Sequence, residues 1–277
     1  PGHGVFKNIK EVKPAHCIIF DQAGLREKRY WKLESKPHTD STEGTIEKVR
    51  NLVLDAVNRQ LVADVPLCTF LSGGLDSSII SAVAAKSFKD KGKQLHTFSI
   101  DYVDNDVYFK PSLFQPNPDA PWVKRLSDEI ASCHHYIKFD TPHIVSALTD
   151  AVKSKDLPGM ADIESSLLLF CREVKKEAVV ALSGECADEI FGGYPWFYNP
   201  EMLNSNTFPW ARSVKERLSI LAPGILQDID GENYVNQRYQ ETLAEVPELD
   251  SESETEKRRR EIMYLNIVWF MSTLLDR

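Results

Sequence analysis

From residue 41 onwards the apolar positions follow two alternating periods. Ser41 or Thr42 opens a helical pattern in which Ile46, Val49, Leu52, Val53, Ala56, Val57 and Leu61 recur at three and four. The compact apolar run 67–71 then predicts a buried strand, and 77–86 a helix. The scheme repeats: strands over 95–100, 135–139 and 178–182, and helices over 121–131, 144–155 and 163–176. The run at 178–182 is the most apolar of the strands. Strands and helices in alternation imply an α/β fold whose parallel sheet carries helices on both faces. Three prolines within 104–119 read as a loop. After Tyr194 the strand signals stop, and an all-helical C-terminal part is predicted. Its last helix starts near Ser253 and runs through Ile262, Leu265, Val268, Trp269 and Ser272.

Residues 1–34 show a different pattern. Cys17 to Phe20 and Leu25 to Trp31, separated by Asp21-Gln22-Ala23-Gly24, predict a β-hairpin. A hairpin is marginal in water on its own, so these strands should lean on another domain or on the rest of the chain. Residues 35–40 are polar and read as a linker, leaving 41–277 as the main domain.

Composition narrows the class. Of 277 residues, 42% are hydrophobic and 27% charged, as in ordinary globular proteins. No apolar run approaches the roughly 20 residues that span a bilayer, so no membrane partner is expected. The 41 acids exceed the 33 bases, a net charge of −8. Proteins that bind nucleic acid over an extended surface carry the opposite sign, so no nucleic-acid partner is expected. The cysteines, Cys17, Cys68, Cys133, Cys171 and Cys186, are odd in number and lack C-x-x-C spacing. That argues against a zinc ribbon or a disulfide framework and fits a reducing cytoplasm. His134 and His135 form a pair at a strand start, where adjacent residues face opposite ways, so no metal site is expected there. The oligomeric state is left open.

Two segments carry chemistry. Ser72-Gly73-Gly74-Leu75-Asp76-Ser77-Ser78 leaves a buried strand and opens a helix. Two glycines permit a sharp turn and close approach to a ligand. The first helical amides are unpaired, and the three hydroxyls add donors, so the segment reads as an anion cradle. Asp76 would repel phosphates unless a cation lay between them, which suggests Mg²⁺; the plain alternative is an acid at a helix start. The second segment runs Ser183-Gly184-Glu185-Cys186-Ala187-Asp188-Glu189-Ile190-Phe191-Gly192-Gly193-Tyr194, again after a strand. Taken alone, its three acids are explained by a helix N-terminus. Two such turns at strand ends of one α/β domain, where open sheets place ligands, point to a nucleotide site.

The first segment resembles the S-G-G-x-D-S pyrophosphate loop of the N-type ATP pyrophosphatases, and it lacks the lysine of a Walker A loop. The second resembles the S-G-E-G-x-D-E-x-F-G-G-Y signature of asparagine synthetases, with Cys186 in place of a glycine. The resemblance covers essentially the whole chain. It implies an adenine-nucleotide α-hydrolase-like fold in 41–277, and it implies that 1–34 are the last strands of a glutaminase domain. It implies a ligase that uses ATP and Mg²⁺ to amidate aspartate through β-aspartyl-AMP, with ammonia supplied from glutamine. Carried over residue by residue, Ser72, Gly73, Gly74, Asp76, Ser77 and Ser78 would hold pyrophosphate, and Asp76 and Asp188 the Mg²⁺. Leu71 and Ile100 would flank adenosine. Ser183 and Gly184 would contact the nucleotide, and Glu185 would place aspartate or ammonia as the catalytic residue. Residues 158–162 fall where the family places substrate contacts. The family's glutaminase nucleophile is an N-terminal Cys, whereas the first residue here is Pro1. The family also continues past residue 277 with a basic segment. The expectation is therefore a synthetase part cut at both ends, with little or no turnover of its own. β-Lactam synthetases share the first loop, but Glu185 and Phe191-Gly192-Gly193-Tyr194 favour the asparagine enzymes. A nucleotide-binding module without turnover is the non-enzymatic alternative.

Overall fold

The computed structural model describes residues 2–4, 6–112, 115–157, 159, 161–226 and 228–275, with backbone only at 161 and 162. In chain order, strands β1 (His16–Asp21) and β2 (Gly24–Arg29) precede helix α1 (Thr42–Gln60). There follow β3 (Leu67–Phe70), α2 (Leu75–Asp90), β4 (His96–Tyr102), α3 (Asn105–Tyr108), α4 (Ala120–Glu129) and β5 (Cys133–Phe139). Next come α5 (Thr141–Lys155), α6 (Ala161–Val174), β6 (Val180–Leu182) and α7 (Ala187–Phe191). The remaining helices are α8 (Pro200–Leu203), α9 (Val214–Leu218), α10 (Pro223–Leu226), α11 (Gly231–Leu243), α12 (Glu254–Leu265) and α13 (Ser272–Leu275). The chain divides into two compact units, Asp40–Glu185 and Pro1–Thr39 with Cys186–Arg277.

In the unit Asp40–Glu185, α1 starts where the sequence predicts, because the Ser41 side chain caps it by accepting from the Gly44 N–H at 3.1 Å. The sheet is parallel, in the order β5-β4-β3-β6. Alternate residues face opposite sides. On one side Cys68, Phe98, Phe70, Ile100, Ile137 and Phe139 pack against Phe170 and Val174 of α6. On the other, Leu67, Val180 and Leu182 pack with Leu61 and with Ala84 of α2, and Thr69 Oγ1 meets Ser81 Oγ at 2.8 Å. Helices therefore cover both faces, as predicted. The chain steps from β3 outward to β4 and β5, then returns to add β6 on the far side of β3. That reversal is a topological switch point, and the loops after β3 and β6 leave the sheet side by side at the crevice it creates.

Two expectations need correction. The strand predicted over 178–182 shortens to three residues, because the Val179 and Val180 amides both bond the Pro66 carbonyl and hold the chain in a turn. Although its run is the most apolar, the strand is only half-buried, and it ends the order of described strands. The 104–119 loop contains the one-turn helix α3, entered through Asp104 in the left-handed region at φ 60°.

In the other unit, β1 and β2 pair antiparallel with Ile19 opposite Arg26. The helices enclose Trp196, Phe197, Leu203, Phe208, Tyr239, Ile262 and Leu265. Between α12 and α13 the helix widens to a π-helical turn over Asn266–Met271. No described helix is long and apolar enough to cross a membrane.

Candidate active site

The loop after β3 is shaped by backbone and hydroxyls together. Gly73 has φ +82°, and a Cβ there would come within 2.9 Å of Trp122 Cβ and 3.0 Å of the Asp119 carbonyl. Glycine is required twice over, by conformation and by the first turn of α4 pressed against the loop. Gly74 is different: its φ is −70° and an added Cβ would meet only Ser72 Oγ, at 3.4 Å. The Ser77 hydroxyl donates to the Gly74 carbonyl at 3.2 Å and accepts from the Ser72 N–H at 3.2 Å. It also lies 3.0 Å from Ser72 Oγ. Ser72 and Ser77 thus brace the turn, and the main-chain amides that open α2 are left as the principal anion donors. Asp76 stands in the first turn of α2, and Ser78 bonds back to the Gly74 carbonyl through its N–H.

The loop after β6 lies against that same turn. A Cβ on Gly184 would stand 2.8 Å from the Ser77 nitrogen, 3.1 Å from Asp76 Cβ and 3.2 Å from the Asp76 carbonyl carbon. Gly184 therefore packs directly over the start of α2, and only glycine allows it. The Ser183 hydroxyl accepts from the Glu185 N–H at 3.2 Å, which fixes the bend and leaves Glu185 exposed beside it. Ser72, Gly73, Gly74, Asp76, Ser77, Ser183 and Gly184 converge on one place.

The rest of the signature belongs to the second unit. Cys186 precedes α7 with φ +73°, a left-handed residue carrying a side chain where glycine would be unstrained. Asp188 sits in the first turn of α7, and its backbone carbonyl accepts from the Gly192 and Gly193 amides at 2.9 and 3.1 Å. A Cβ on Gly193 would collide with Asp188 Oδ1 at 1.8 Å, so that glycine makes room for the carboxylate. Glu189 is 1% exposed and accepts from the Tyr194 hydroxyl at 2.6 Å, with no partner for Oε2 among the described residues.

Leu71 is 1% exposed, and its N–H bonds the Phe98 carbonyl at 2.8 Å. Its side chain belongs to the core, while Ile100 is half-buried on β4. Of 158–162, Pro158 and Met160 lie outside the described residues, as do the side chains of Ala161 and Asp162. The sequence did not reveal the part played by the start of α4. Asp119, Trp122 and Val123 buttress Gly73, and burial pushes the Asp119 carboxyl up; a hydrogen bond from Gln115 opposes the rise and the Asp101 charge adds to it. Tyr136 on β5 donates to Asp101, and burial first, then that bond, hold its hydroxyl above the ordinary tyrosine range. No local signal marks the contact of Gly73 with the start of α4 or that of Tyr136 with Asp101, each of which joins segments more than 30 residues apart.

The family model described as asparagine synthase matches residues 48–277. Asparagine synthetase 3 (glutamine-hydrolyzing) of Bacillus subtilis strain 168 is 54% identical over 278 residues, covering 100% of this chain and 45% of that protein. Asparagine synthetase 1 (glutamine-hydrolyzing) of the same organism is 32% identical, covering 71% of this chain and 29% of that protein. The glutamine-hydrolyzing asparagine synthetase of Brassica oleracea is 32% identical, covering 71% and 33%. The chain spans less than half the length of these relatives. Among solved structures, a NAD⁺ synthetase from Burkholderia pseudomallei aligns at a TM-score of 0.31 and 14% identity over 56% of this chain and 67% of that one, too loose a likeness to argue from.

Proposed function

The chain belongs to the asparagine synthase family, and from that membership we propose that the protein makes asparagine from aspartate, ammonia and ATP, with glutamine as the source of ammonia. The observation that carries this reading is the meeting of two strand-end loops, with Gly184 seated on the Ser77 amide at the switch point of the parallel sheet. The turn from Ser72 to Ser78 takes the β and γ phosphates on the first amides of α2. Ser183 and Gly184 face the α phosphate, and Ile100 and the start of the loop at Leu71 border the adenosine. The aspartate side-chain carboxylate attacks the α phosphorus and pyrophosphate leaves, giving β-aspartyl-AMP. Ammonia then attacks the acyl carbon and AMP departs with the C–O bond electrons. Glu185, exposed at the bend, orients the ammonia and takes up its proton.

Asp76 fits a magnesium ligand: it is an oxygen donor in the same turn as amides that favour phosphate. With Asp188 it would hold Mg²⁺, which supplies charge neutralisation for the triphosphate. The five cysteines form no disulfide among the described residues, in keeping with a cytoplasmic enzyme.

The test is isotope exchange between ATP and pyrophosphate. Exchange should require aspartate and Mg²⁺ and disappear in Asp76→Asn. Exchange that is indifferent to aspartate would refute the assignment of substrate.

A further inference from the structure

We propose that His96, Cys133 and His135 form a three-ligand zinc site on the N-terminal side of the parallel sheet. His96 and Cys133 are the first residues of β4 and β5 and are direct cross-strand partners. Partners in a parallel register share a face, and His135, two residues further along β5, returns to it. The three donor atoms, one from each side chain, lie within 4.8 Å of one another. His96 Nδ1 is 3.0 Å from His135 Nε2, and Cys133 Sγ is 3.8 Å from the same nitrogen. Tetrahedral zinc with Zn–N of about 2.0–2.1 Å and Zn–S of about 2.3 Å requires N···N near 3.3 Å and N···S near 3.6 Å. Both separations from His135 Nε2 are therefore within a few tenths of an ångström of ligating values, and the third pair, His96 with Cys133, lies within 4.8 Å.

The surroundings favour a metal over mere packing. His135 lies flat on Phe98, with ring centroids 4.3 Å apart and planes 7° apart, so its ring is held in place before any ion arrives. Without a metal, two imidazole nitrogens at 3.0 Å must share a single proton. A zinc ion replaces that proton and adds the thiolate. Two nitrogens and a sulfur select a borderline-soft cation, whereas Mg²⁺ takes oxygen. All three residues are half-buried, so an ion from solvent can reach them. Three protein ligands leave the fourth position to water. His96 stands level with Cys68, three residues or roughly 10 Å along the strand direction below Leu71, which separates this site from the nucleotide loops. Its effect is to clamp the starts of β4 and β5, and a ligand that binds only the folded state raises its stability.

The experiment titrates the chelator-treated chain with Co²⁺ in excess Mg²⁺, so that oxygen sites are already filled. The expected result is one equivalent bound, with a thiolate-to-cobalt charge-transfer band that Zn²⁺ abolishes by displacement. Cys133→Ser should remove the band and weaken Zn²⁺ at least roughly 100-fold, the upper end of what even a supporting residue costs at such sites. Cys171→Ser, at an exposed thiol outside the triad, should leave band and affinity unchanged. His96→Gln should weaken Zn²⁺ as Cys133→Ser does, and Zn²⁺ should raise the melting temperature of the wild type and of Cys171→Ser but not of Cys133→Ser or His96→Gln. Absence of the band, its persistence in Cys133→Ser, or full Zn²⁺ affinity in His96→Gln would each overturn the site.

Discussion

Gly184→Ala tests the proposed nucleotide site at its tightest point. The new Cβ would stand 2.8 Å from the Ser77 nitrogen and 3.1 and 3.2 Å from atoms of Asp76. Ordinary contact begins near 3.4 Å, so the loop after β6 must retreat from α2 by about half an ångström or more. Two of the three obstructing atoms are backbone at a helix start, and they cannot swing aside as a long side chain would. Overpacking of this kind costs about 1–3 kcal/mol. If the loop withdraws and the site opens, the cost appears in binding, and MgATP affinity falls roughly 5- to 150-fold. If the loop stays, the cost appears in the fold, and melting drops by roughly 2–4 °C per kcal/mol. Calorimetric titration with MgATP and thermal unfolding on the same preparation capture both outcomes. Gly74→Ala is the comparator, because its Cβ would meet only Ser72 Oγ at 3.4 Å and its φ is ordinary. It should melt within a degree or two of the wild type, about the cost of a tolerated small substitution. Unchanged affinity together with unchanged melting in Gly184→Ala would show that the two loops do not meet over the first turn of α2.

Gly73→Ala faces both a left-handed φ and the backbone of α4, so it should destabilise more than Gly184→Ala; equal melting of the two variants would contradict that. Asp76→Asn should weaken MgATP binding while melting normally, and unchanged calorimetric affinity would remove Asp76 from the site. Cys186→Gly should stabilise the chain by about 1 kcal/mol, since it releases a left-handed residue from its side-chain strain at some cost in unfolded-state entropy; denaturant unfolding measures it, and a lower midpoint would refute it. Asp119→Asn should raise stability near neutral pH. The Asp119 pKa is raised in the fold, mainly by burial, so its stabilising contribution is complete below the unfolded carboxylate range and is lost as pH rises through the folded value. The advantage of the amide should therefore vanish in acid, and a gain that grows as pH falls would have the wrong sign.

Most of the fold was legible because it rests on short-range patterns. The three-and-four spacing from Ile46 to Leu61 became α1, Ser41 capped it, and the apolar runs became β3 to β6 in a parallel sheet. The glycine turn after β3 was legible for the same reason, since its chemistry lies within seven residues. Hydroxyls in such a turn look like ligand donors, but whether they face a ligand or the turn is settled by geometry, and Ser77 Oγ is engaged within the loop. Cys186 illustrates a second limit: the residue type was visible, while the positive φ that strains it exists only once the chain leaves β6 for α7. The widening of the helix over Asn266–Met271 was invisible too, because apolar spacing along one face does not reveal an extra residue in a turn; buried there, the Asn266 amide has no hydrogen-bond partner among the described residues. The histidine pair shows why adjacency alone misleads. His134 and His135 do face opposite ways, as strand geometry requires. His134 turns to Thr97 and Ser99, at 2.9 and 3.0 Å, while His135 joins His96 and Cys133 on the other face. Opposite facing rules out a metal shared by these two histidines and leaves each free to find ligands on another strand. The neighbour that counts is set by the register of β4 on β5, which places residue 96 opposite residue 133, and no local pattern in the chain encodes that pairing.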